Sequence, residues 1–217
     1  MKIGLILECT TDGPDWQVYS LWVRRLLGED VRVEQSSAGN KKLLIQQAGK
    51  RAQALFDEGC EKVLIMWDLW PAWGQAKPNE AEDVAAIDSS LRQAGVVNPC
   101  VYMLCVNRML ETLLLVDGNA LTQLLGLRGK TPRHQNRPST IHDPKEYLGR
   151  WFKQARRADY VAHTHAKEIA KRVDLARLRR RTREFQKFES SLQQTPCTPP
   201  LAWATRASDA GRTAAGS

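Results

Sequence analysis

Short apolar runs alternate with longer amphipathic segments over the first 125 residues of the chain. Four runs are short, apolar and bounded by polar clusters, which predicts strands at Lys2–Leu7, Val31–Glu34, Lys62–Trp67 and Cys100–Val106. In the longer segments apolar residues recur at helical spacing, and several of these segments end near a glycine. Helices are therefore predicted at Asp15–Leu27, Asn40–Asp57, Glu82–Ala94, Asn107–Val116, Asn119–Leu125 and Pro144–Gln154, with one or two more within Tyr160–Gln193.

This order of elements predicts an α/β fold. Strands that alternate with helices form a mostly parallel sheet, here of four strands, with helices on both faces and further helices at the carboxy-terminal end. A chain of 217 residues suits one domain, which we place at residues 1–190, with a basic loop and helical extension at 128–190. Pro, Thr, Ala, Gly and Ser dominate residues 194–217, which predicts a disordered tail.

Apolar runs such as Val63–Trp67 are far shorter than the roughly 20 residues of a membrane span. Met1 and Lys2 lead directly into a strand that soon reaches Glu8, so no signal peptide is expected. None of the five cysteines belongs to a CxxC pair, which argues against a zinc knuckle. We therefore expect a cytoplasmic protein without a membrane segment.

Acidic residues follow the predicted strands. Glu8 ends the first strand, Asp68 ends the third, and Glu111 lies in the first turns of the helix after the fourth. Ligands of parallel sheets bind at these carboxyl ends, and neighbouring carboxylates repel each other unless a cation lies between them. Mg²⁺ suits such a site because it takes carboxylate, phosphate and water oxygens, and it can polarise a phosphodiester and activate water.

Each of these carboxylates also has an ordinary structural explanation. Glu8 and Asp68 could cap a following helix or turn, and Glu111 could lie on a solvated helix face. The acids of the loop after the third strand, Glu80, Glu82 and Asp83, have the position of favourable first-turn residues in a helix. These alternatives stay open at the level of the sequence.

The positive charge is concentrated in the last third of the chain. Residues 1–127 carry 12 Lys and Arg and 16 Asp and Glu, whereas residues 128–188 carry 18 and 6. One basic loop contains Arg128, Lys130, Arg133, His134 and Arg137, and a later helical stretch contains Arg177, Arg179, Arg180, Arg181 and Arg183. A basic surface beside an acidic site is the arrangement that holds a phosphate backbone over a metal; a solvated helix face is the alternative for the second cluster.

The acid after the first strand, the Asp after a later strand and the strand–helix alternation resemble the Toprim fold, the metal-dependent phosphotransfer domain of topoisomerases, primases and nucleases of the overcoming-lysogenisation-defect type. Four longer segments are more specific: KIGLILECTTDGPD, GCEKVLIMWDLWPAWG, CVNRMLETLLLVDGNAL and HDPKEYLGRWF. They resemble an uncharacterised bacterial family of Toprim-related domains, domain-of-unknown-function family 4276, from residue 1 to about residue 190.

This resemblance implies roles for individual residues. Glu8 matches the first Toprim acid, Asp68 the acid of the second motif, Glu111 the Glu of an "LEAWLLAD"-like helix, and Lys145 the Lys of an "NPK"-like segment. These four are the expected catalytic residues, with Glu8, Asp68, Glu111 and Asp83 as expected ligands of Mg²⁺ or Mn²⁺. Toprim nucleases usually carry Asp-x-Asp after the strand, and the second of these positions is Trp70 here. Glu80, Asp83 or Glu111 would have to supply the missing ligand.

The resulting hypothesis is a Mg²⁺-dependent, Toprim-like nuclease or phosphotransfer subunit that acts on nucleic acid. The expected nucleic-acid-binding residues are Arg128, Lys130, Arg133, Arg137, Arg179, Arg180 and Arg181. The resemblance further implies an ATPase partner of the AAA or chromosome-segregation type and a role in phage or plasmid defence, with homo-oligomerisation left open. The alternatives are an inactive Toprim-like scaffold or sensor subunit, which the missing Asp-x-Asp favours, and a small-molecule phosphohydrolase.

Overall fold

The computed structural model describes residues 1–70, 77–129 and 131–194. Its centre is a four-stranded sheet of β1 (Lys2–Leu7), β2 (Arg32–Ser37), β3 (Lys62–Asp68) and β4 (Val101–Val106). All neighbouring strands are parallel, and their order is β2-β1-β3-β4. From β1 the chain passes to β2 at one edge of the sheet, and from β3 it passes to β4 at the other edge. The connections that leave the neighbouring strands β1 and β3 therefore run in opposite directions. Such a switch point leaves a crevice at the carboxyl ends of the two strands.

Helices cover both faces of this sheet, which confirms the predicted α/β class. The first three are α1 (Pro14–Leu27), α2 (Lys41–Asp57) and α3 (Glu80–Gln93). After β4 the chain forms α4 (Leu110–Leu114) and α5 (Gly118–Leu125), a 3-10 turn (Pro138–Thr140), α6 (Pro144–Gln154), α7 (Ala162–Arg172), α8 (Leu175–Arg181) and α9 (Arg183–Gln193).

Alternation along the strands divides the interior into two cores. Leu5, Leu64 and Leu104 face α1 and the helices that follow β4. Their neighbours Ile6 and Ile65 face α2 and α3 on the other side. Since successive side chains of a strand point to opposite faces, nearly continuous apolar runs such as β3 are what a sheet covered on both sides requires.

The carboxy-terminal helices belong to the same core as the sheet. Trp22 of α1 packs edge-on against Phe185 of α9, with ring centroids 5.5 Å apart, and its indole nitrogen donates to the carbonyl of Ala170 at 3.3 Å. At the other end of α9, the buried Lys62 donates to the carbonyls of Leu192 and Gln194 at 2.7 and 2.6 Å. Helix α9 therefore runs from the carboxyl edge of the sheet to its amino edge.

Most observed boundaries differ from the predicted ones by one or two residues, and β2 extends to Ser37 rather than Glu34. Three differences in the helices have a clear local cause. Helix α4 begins at Leu110 and not at Asn107, because Arg108 adopts a left-handed backbone with φ 78°. Helix α3 begins at Glu80, where Asn79 caps it by accepting from the amide of Ala81 at 3.1 Å. The segment 160–193 contains three helices, because Asp174 caps a new helix and Thr182 takes an extended backbone before α9.

Two other expectations concern the ends and the membrane. The predicted tail, residues 194–217, lies outside the described residues except for Gln194. Lys130 of the basic loop also lies outside the described residues. Among the helices that are described, none has the length and apolar character that crossing a membrane requires.

The close approach of α2 and α3 gives a prediction about stability. A Cβ atom on Gly49 would lie 2.0 Å from the backbone oxygen of Ser90, whereas one on Gly149 of α6 would meet no atom within 4 Å. We expect Gly49→Ala to lower the free energy of unfolding by about 3 kcal/mol, since α2 and α3 must move apart. The matched change Gly149→Ala should raise it by about 0.5–1 kcal/mol, because alanine favours the helix. Urea denaturation of both variants measures the difference, and equal effects would contradict this packing.

Candidate active site

A cavity of about 640 Å³ lies at the crevice between β1 and β3. The loops that follow β1 and β2, the ends of α1 and α2, the end of β3, and the helices α4 and α6 all contribute to its wall. Its charged side chains are four carboxylates and three lysines: Glu8, Asp15, Asp68, Glu111, Lys41, Lys42 and Lys145. The structure therefore brings the four expected catalytic residues to one cavity, and adds Asp15 and Lys41.

Glu8 is the first residue after β1, and it bridges to the neighbouring strand. Its Oε1 atom accepts a hydrogen bond from the backbone amide of Asp68 at 2.5 Å. Burial raises the pKa of Glu8 to about 7, with a further increase from Asp15, while the amide of Asp68 and the charge of Lys41 oppose the shift. Glu8 is consequently poised to gain or lose a proton near neutral pH.

Asp68 ends β3, and its carboxylate has no hydrogen-bonding or ionic partner among the described residues. Its pKa lies well above the usual range, first because of burial and then because Asp15, Glu8 and Glu111 are nearby. Lys145 opposes this shift. The carboxylates therefore form one electrostatic group, in which each negative charge makes the next less favourable.

Asp15 is a site residue that the sequence analysis did not select. It lies in the first turn of α1, where an acid is common for reasons of helix polarity alone. Burial, followed by the charge of Glu111, raises its pKa to about 6. The signal that could have identified it is its position after the Gly-Pro that follows β1, since the helix after a first strand begins at the carboxyl edge of the sheet.

Glu111 lies on α4 and is almost completely buried, with 2% of its surface exposed. Its Oε1 atom accepts from the hydroxyl of Tyr160 at 3.3 Å and lies 3.9 Å from the Nζ atom of Lys145. Burial raises its pKa, which Lys145 and Tyr160 partly offset. This burial excludes the solvated-face alternative for Glu111. Lys145 itself is exposed in the first turn of α6, so its charge is available to a ligand in the cavity.

Asp83 does not line the cavity. Its Oδ2 atom lies 2.8 Å from the Nζ atom of Lys41 and accepts from the indole nitrogen of Trp67 at 3.0 Å, beneath the cavity on the α2–α3 side. Both members of this ion pair are buried. Removal of either would leave the other as an uncompensated buried charge, which is strongly destabilising. Glu80 also lies elsewhere, with its Oε1 atom 3.8 Å from the Nζ atom of Lys187. Of the three residues proposed to replace the missing second Asp, only Glu111 lies in the cavity wall.

Asp117, at the end of the "LEAWLLAD"-like segment, has a structural role. It is the N-cap of α5 and accepts from the amides of Asn119 and Asp174 at 3.1 and 3.0 Å. The side chains of His134 and Arg177 lie 3.4 and 3.5 Å from its Oδ1 atom. Asp117 thus joins α5 and α8 to the basic loop, and it is not part of the cavity wall.

The described residues contain no group of three Asp, Glu, His or Cys side chains already arranged around one point as metal ligands. The cavity nevertheless fits Mg²⁺ or Mn²⁺ in the chemistry of its donors. All four acids offer carboxylate oxygens, and Mg²⁺ usually takes only one or two carboxylates and keeps several waters. Burial is the main cause of the raised pKa values of Asp68 and Asp15, and a cation would also relieve the repulsion from neighbouring acids that adds to it.

The expected nucleic-acid-binding residues do not behave as one group. Arg128, Arg133, Arg137 and Arg180 are exposed. Arg179 is exposed as well, but it forms a two-point ion pair with Glu189 of α9. Arg181 is half-buried, and its Nη1 atom has no hydrogen-bonding partner among the described residues. The charge available to a polyanion therefore comes from the loop and from selected arginines of α8, whereas Arg179 stabilises the contact between α8 and α9.

The raised pKa values make the stability of the metal-free protein depend on pH. A carboxyl with a higher pKa in the folded state stabilises the fold fully below its unfolded pKa, and this contribution is lost as the pH rises through the folded pKa. For Glu8 that window runs from 4.5 to about 7. We expect Glu8→Gln, which keeps the acceptor for the amide of Asp68, to match the wild type at about pH 4. Above pH 7 it should be more stable by about 3 kcal/mol at most.

Urea denaturation in EDTA across this pH range measures the effect. Asp30→Asn, at an exposed turn before β2, is the control and should follow the wild type throughout. A difference between Glu8→Gln and the wild type that stays constant with pH would contradict the assignment.

Comparisons with known proteins place the chain in a family without assigning it an activity. The sequence profile of the family described as "Domain of unknown function (DUF4276)" matches residues 17–193. The match includes Asp68, Glu111 and Lys145 and begins after Glu8 and Asp15. No curated protein and no solved structure gives a significant match. Because the profile covers most of the 217 residues, the chain belongs to the DUF4276 family.

Proposed function

We propose that this protein is a Mg²⁺- or Mn²⁺-dependent, Toprim-like nuclease or phosphotransfer subunit that hydrolyses phosphodiester bonds in nucleic acid. One observation carries the proposal: four carboxylates from the ends of β1 and β3 and from α1 and α4 line one cavity, and the lysines of its wall balance their charge only in part, since Lys41 is paired with Asp83. An unbalanced group of this kind favours the binding of a cation, and a cation in turn favours an anionic substrate such as a phosphodiester.

The proposed roles of the individual side chains follow from their surroundings. Asp68 and Glu111 are the proposed metal ligands, with Asp15 close enough to influence both electrostatically. A bound divalent ion supplies charge stabilisation to the phosphoryl oxygens and lowers the pKa of a bound water. Glu8, with a pKa of about 7, is the proposed general acid or base because it can exchange a proton near neutral pH.

Two lysines complete the proposed site. Lys145 is exposed at 3.9 Å from Glu111 and would neutralise a phosphate oxygen. Lys41 is held rigidly at the floor by Asp83 and by the carbonyl of Leu69, to which it donates at 3.0 Å. Since its charge is already matched by Asp83, Lys41 orients the end of β3 and contributes less net charge to the cavity.

A partner remains part of the proposal. The resemblance of the quoted segments implies an ATPase of the AAA or chromosome-segregation type and a role in phage or plasmid defence. Activity of the chain alone is therefore to be compared with its activity in the presence of an ATPase of this type.

A second candidate function, a non-catalytic Toprim-like scaffold or sensor, is favoured by Trp70. This residue occupies the position of the second acid of Asp-x-Asp, is 44% exposed, and lies under the guanidinium of Arg108 at 5.6 Å. An aromatic side chain at that position supplies no metal ligand. The two candidates differ in whether removal of a carboxylate abolishes a chemical activity.

The variant Asp68→Asn distinguishes them. It keeps the shape of the side chain and removes one of the mutually repelling charges, so the variant should fold at least as well as the wild type. We expect its Mg²⁺- or Mn²⁺-dependent cleavage of DNA or RNA to fall by several orders of magnitude, because the ion contributes several kcal/mol of charge stabilisation. Gel assays with and without the ATPase measure this loss, with Asp30→Asn as the control. Full phage protection in cells by both Asp68→Asn and Glu8→Gln would favour the scaffold.

Metal binding can be measured without any substrate. A ligand that binds only the folded state stabilises it by about 2.7 kcal/mol at a hundred times its Kd. We expect Mg²⁺ or Mn²⁺ to raise the melting temperature of the wild type at about pH 8, which lies above the pKa values of about 7 for Glu8 and about 6 for Asp15, and to have much less effect on Asp68→Asn. NaCl of equal ionic strength controls for screening. An identical shift in both proteins would place the metal elsewhere.

A further inference from the structure

Three recesses with shared walls lead from α6 to the carboxyl edge of the sheet. A groove of about 690 Å³ is lined by the basic loop and by Tyr147 and Trp151. Beside it lies a pocket of about 140 Å³, which shares Asn136 and Arg137 with the groove. We call these the aromatic groove and the arginine pocket.

The arginine pocket continues toward the candidate active site. It shares Asn107 and Arg183 with a third recess of about 200 Å³, whose wall includes Leu69 and Lys187. Leu69 directly follows Asp68, the proposed metal ligand at the end of β3. The three recesses, which together we call the track, therefore connect the aromatic side chains of α6 to the edge of the sheet where the acidic cavity lies.

The charge in the arginine pocket is positive and available, whereas Lys187 of the third recess is paired with Glu80. Arg137, Arg181 and Arg183 line the arginine pocket, and none of them takes part in an ion pair among the described residues. The Nη1 atom of Arg181 is buried without a hydrogen-bonding partner in the described part of the chain, and a buried guanidinium nitrogen without a partner is costly. One acid, Glu184, shares this wall. Three cations against one anion favour a negatively charged occupant.

The first turn of α9 adds to this potential. Its N-cap residue Thr182 donates its hydroxyl to the carbonyl of Leu178 at 2.8 Å, so it does not cap the amides of α9. Thr182, Arg183 and Glu184, the residues at which α9 begins, line the arginine pocket. Free amides and the positive end of a helix dipole favour an anion such as a phosphate group.

The aromatic groove supplies a different kind of contact. Trp151 is half-buried on α6 and makes no ring–ring or cation–π contact within the described residues. Tyr147, one turn earlier, is held by Gln135, which donates to its hydroxyl at 3.3 Å, and by the guanidinium of Arg150, 5.4 Å from its ring. Aromatic side chains beside a basic groove are the elements with which proteins bind single strands, because every nucleobase can stack on a ring.

We propose that the track binds single-stranded nucleic acid, with backbone phosphates at Arg137, Arg181 and Arg183 and a base stacked on Trp151. The inference rests on the proposed function in taking nucleic acid as the ligand, and it adds that the ligand is a single strand. A duplex is stiff and keeps its bases paired inside, so it cannot place a base on Trp151 while its phosphates enter a recess of about 140 Å³. A single strand can do both, because its bases are free to turn outward.

The test measures binding by fluorescence anisotropy in EDTA, so that it does not depend on the metal or on hydrolysis. The probes are a labelled oligo(dT) or oligo(rU) of about twelve nucleotides, a fully abasic oligomer of the same length and charge, and a duplex of the same length. We expect one of the single strands to bind more tightly than the duplex. Trp151→Ala should weaken its binding roughly five- to a hundredfold, the range that stacking of one base contributes, and should leave binding of the abasic oligomer unchanged.

The arginine contacts have a separate signature. Arg181→Gln should weaken the binding of both the base-bearing and the abasic strand, and should reduce the slope of log affinity against log salt by about 0.7, the value for one phosphate contact on a single strand. Arg32→Gln, an exposed arginine at the far edge of the sheet on β2, is the matched control and should change neither quantity. Because Trp151 also packs against the core, Trp151→Phe tests folding: it should restore most of the binding to the base-bearing strand.

Three results would overturn the inference. They are a duplex that binds as tightly as the single strands, a loss of abasic binding in Trp151→Ala equal to the loss of oligo(dT) binding, and no binding of single strands at low salt. The proposed hydrolysis can fail separately: a strand that binds in this way and is not cut with Mg²⁺ or Mn²⁺ would support the track and argue against a nuclease. Cleavage of a duplex by a protein that does not bind single strands would support the nuclease and argue against the track.

Discussion

Parallel pairing of β1 with β3 decides where the acidic side chains meet. Leu7 lies opposite Met66 in this ladder, so Glu8, the residue after β1, emerges beside Trp67 and Asp68, the last two residues of β3, at the switch point of the sheet. The hydrogen bond from the amide of Asp68 to Glu8 fixes them there. A shift of the ladder by one residue would turn each side chain to the opposite face of the sheet, and the cavity would lose its floor.

The electrostatics of the cavity follow from that placement. Burial disfavours the charge of each carboxylate in the crevice, and repulsion from the neighbouring acids adds to this, so the pKa values of Glu8, Asp15 and Asp68 are raised. The buried lysine of the cavity wall, Lys41, is paired with Asp83. Protons relieve the repulsion at low pH, and a divalent cation is the proposed relief at neutral pH.

The carboxy-terminal third completes the site as well as carrying the basic charge. Helix α6 brings Lys145 to Glu111, and Tyr160, just before α7, donates to the same carboxylate. Helix α9 begins beside the arginine pocket and ends at Lys62 on the opposite edge of the sheet. Since these helices share one apolar core with α1 and the sheet, the acidic cavity and the basic track are held by the same packing.

The sequence by itself determined the local features of this protein. The alternation of apolar runs and amphipathic segments identified four strands and the main helices, and the position of Glu8 and Asp68 after buried strands indicated the edge at which they lie. Only the tertiary structure decided which charges remain available. Asp83 and Arg179 are residue types suited to such a site, yet each is bound to a partner on another helix, Lys41 and Glu189 respectively. Asp15 shows the converse case, a site residue that its sequence pattern did not indicate. Its burial depends on the elements that pack over it, and the periodicity of its own helix does not show which elements those are.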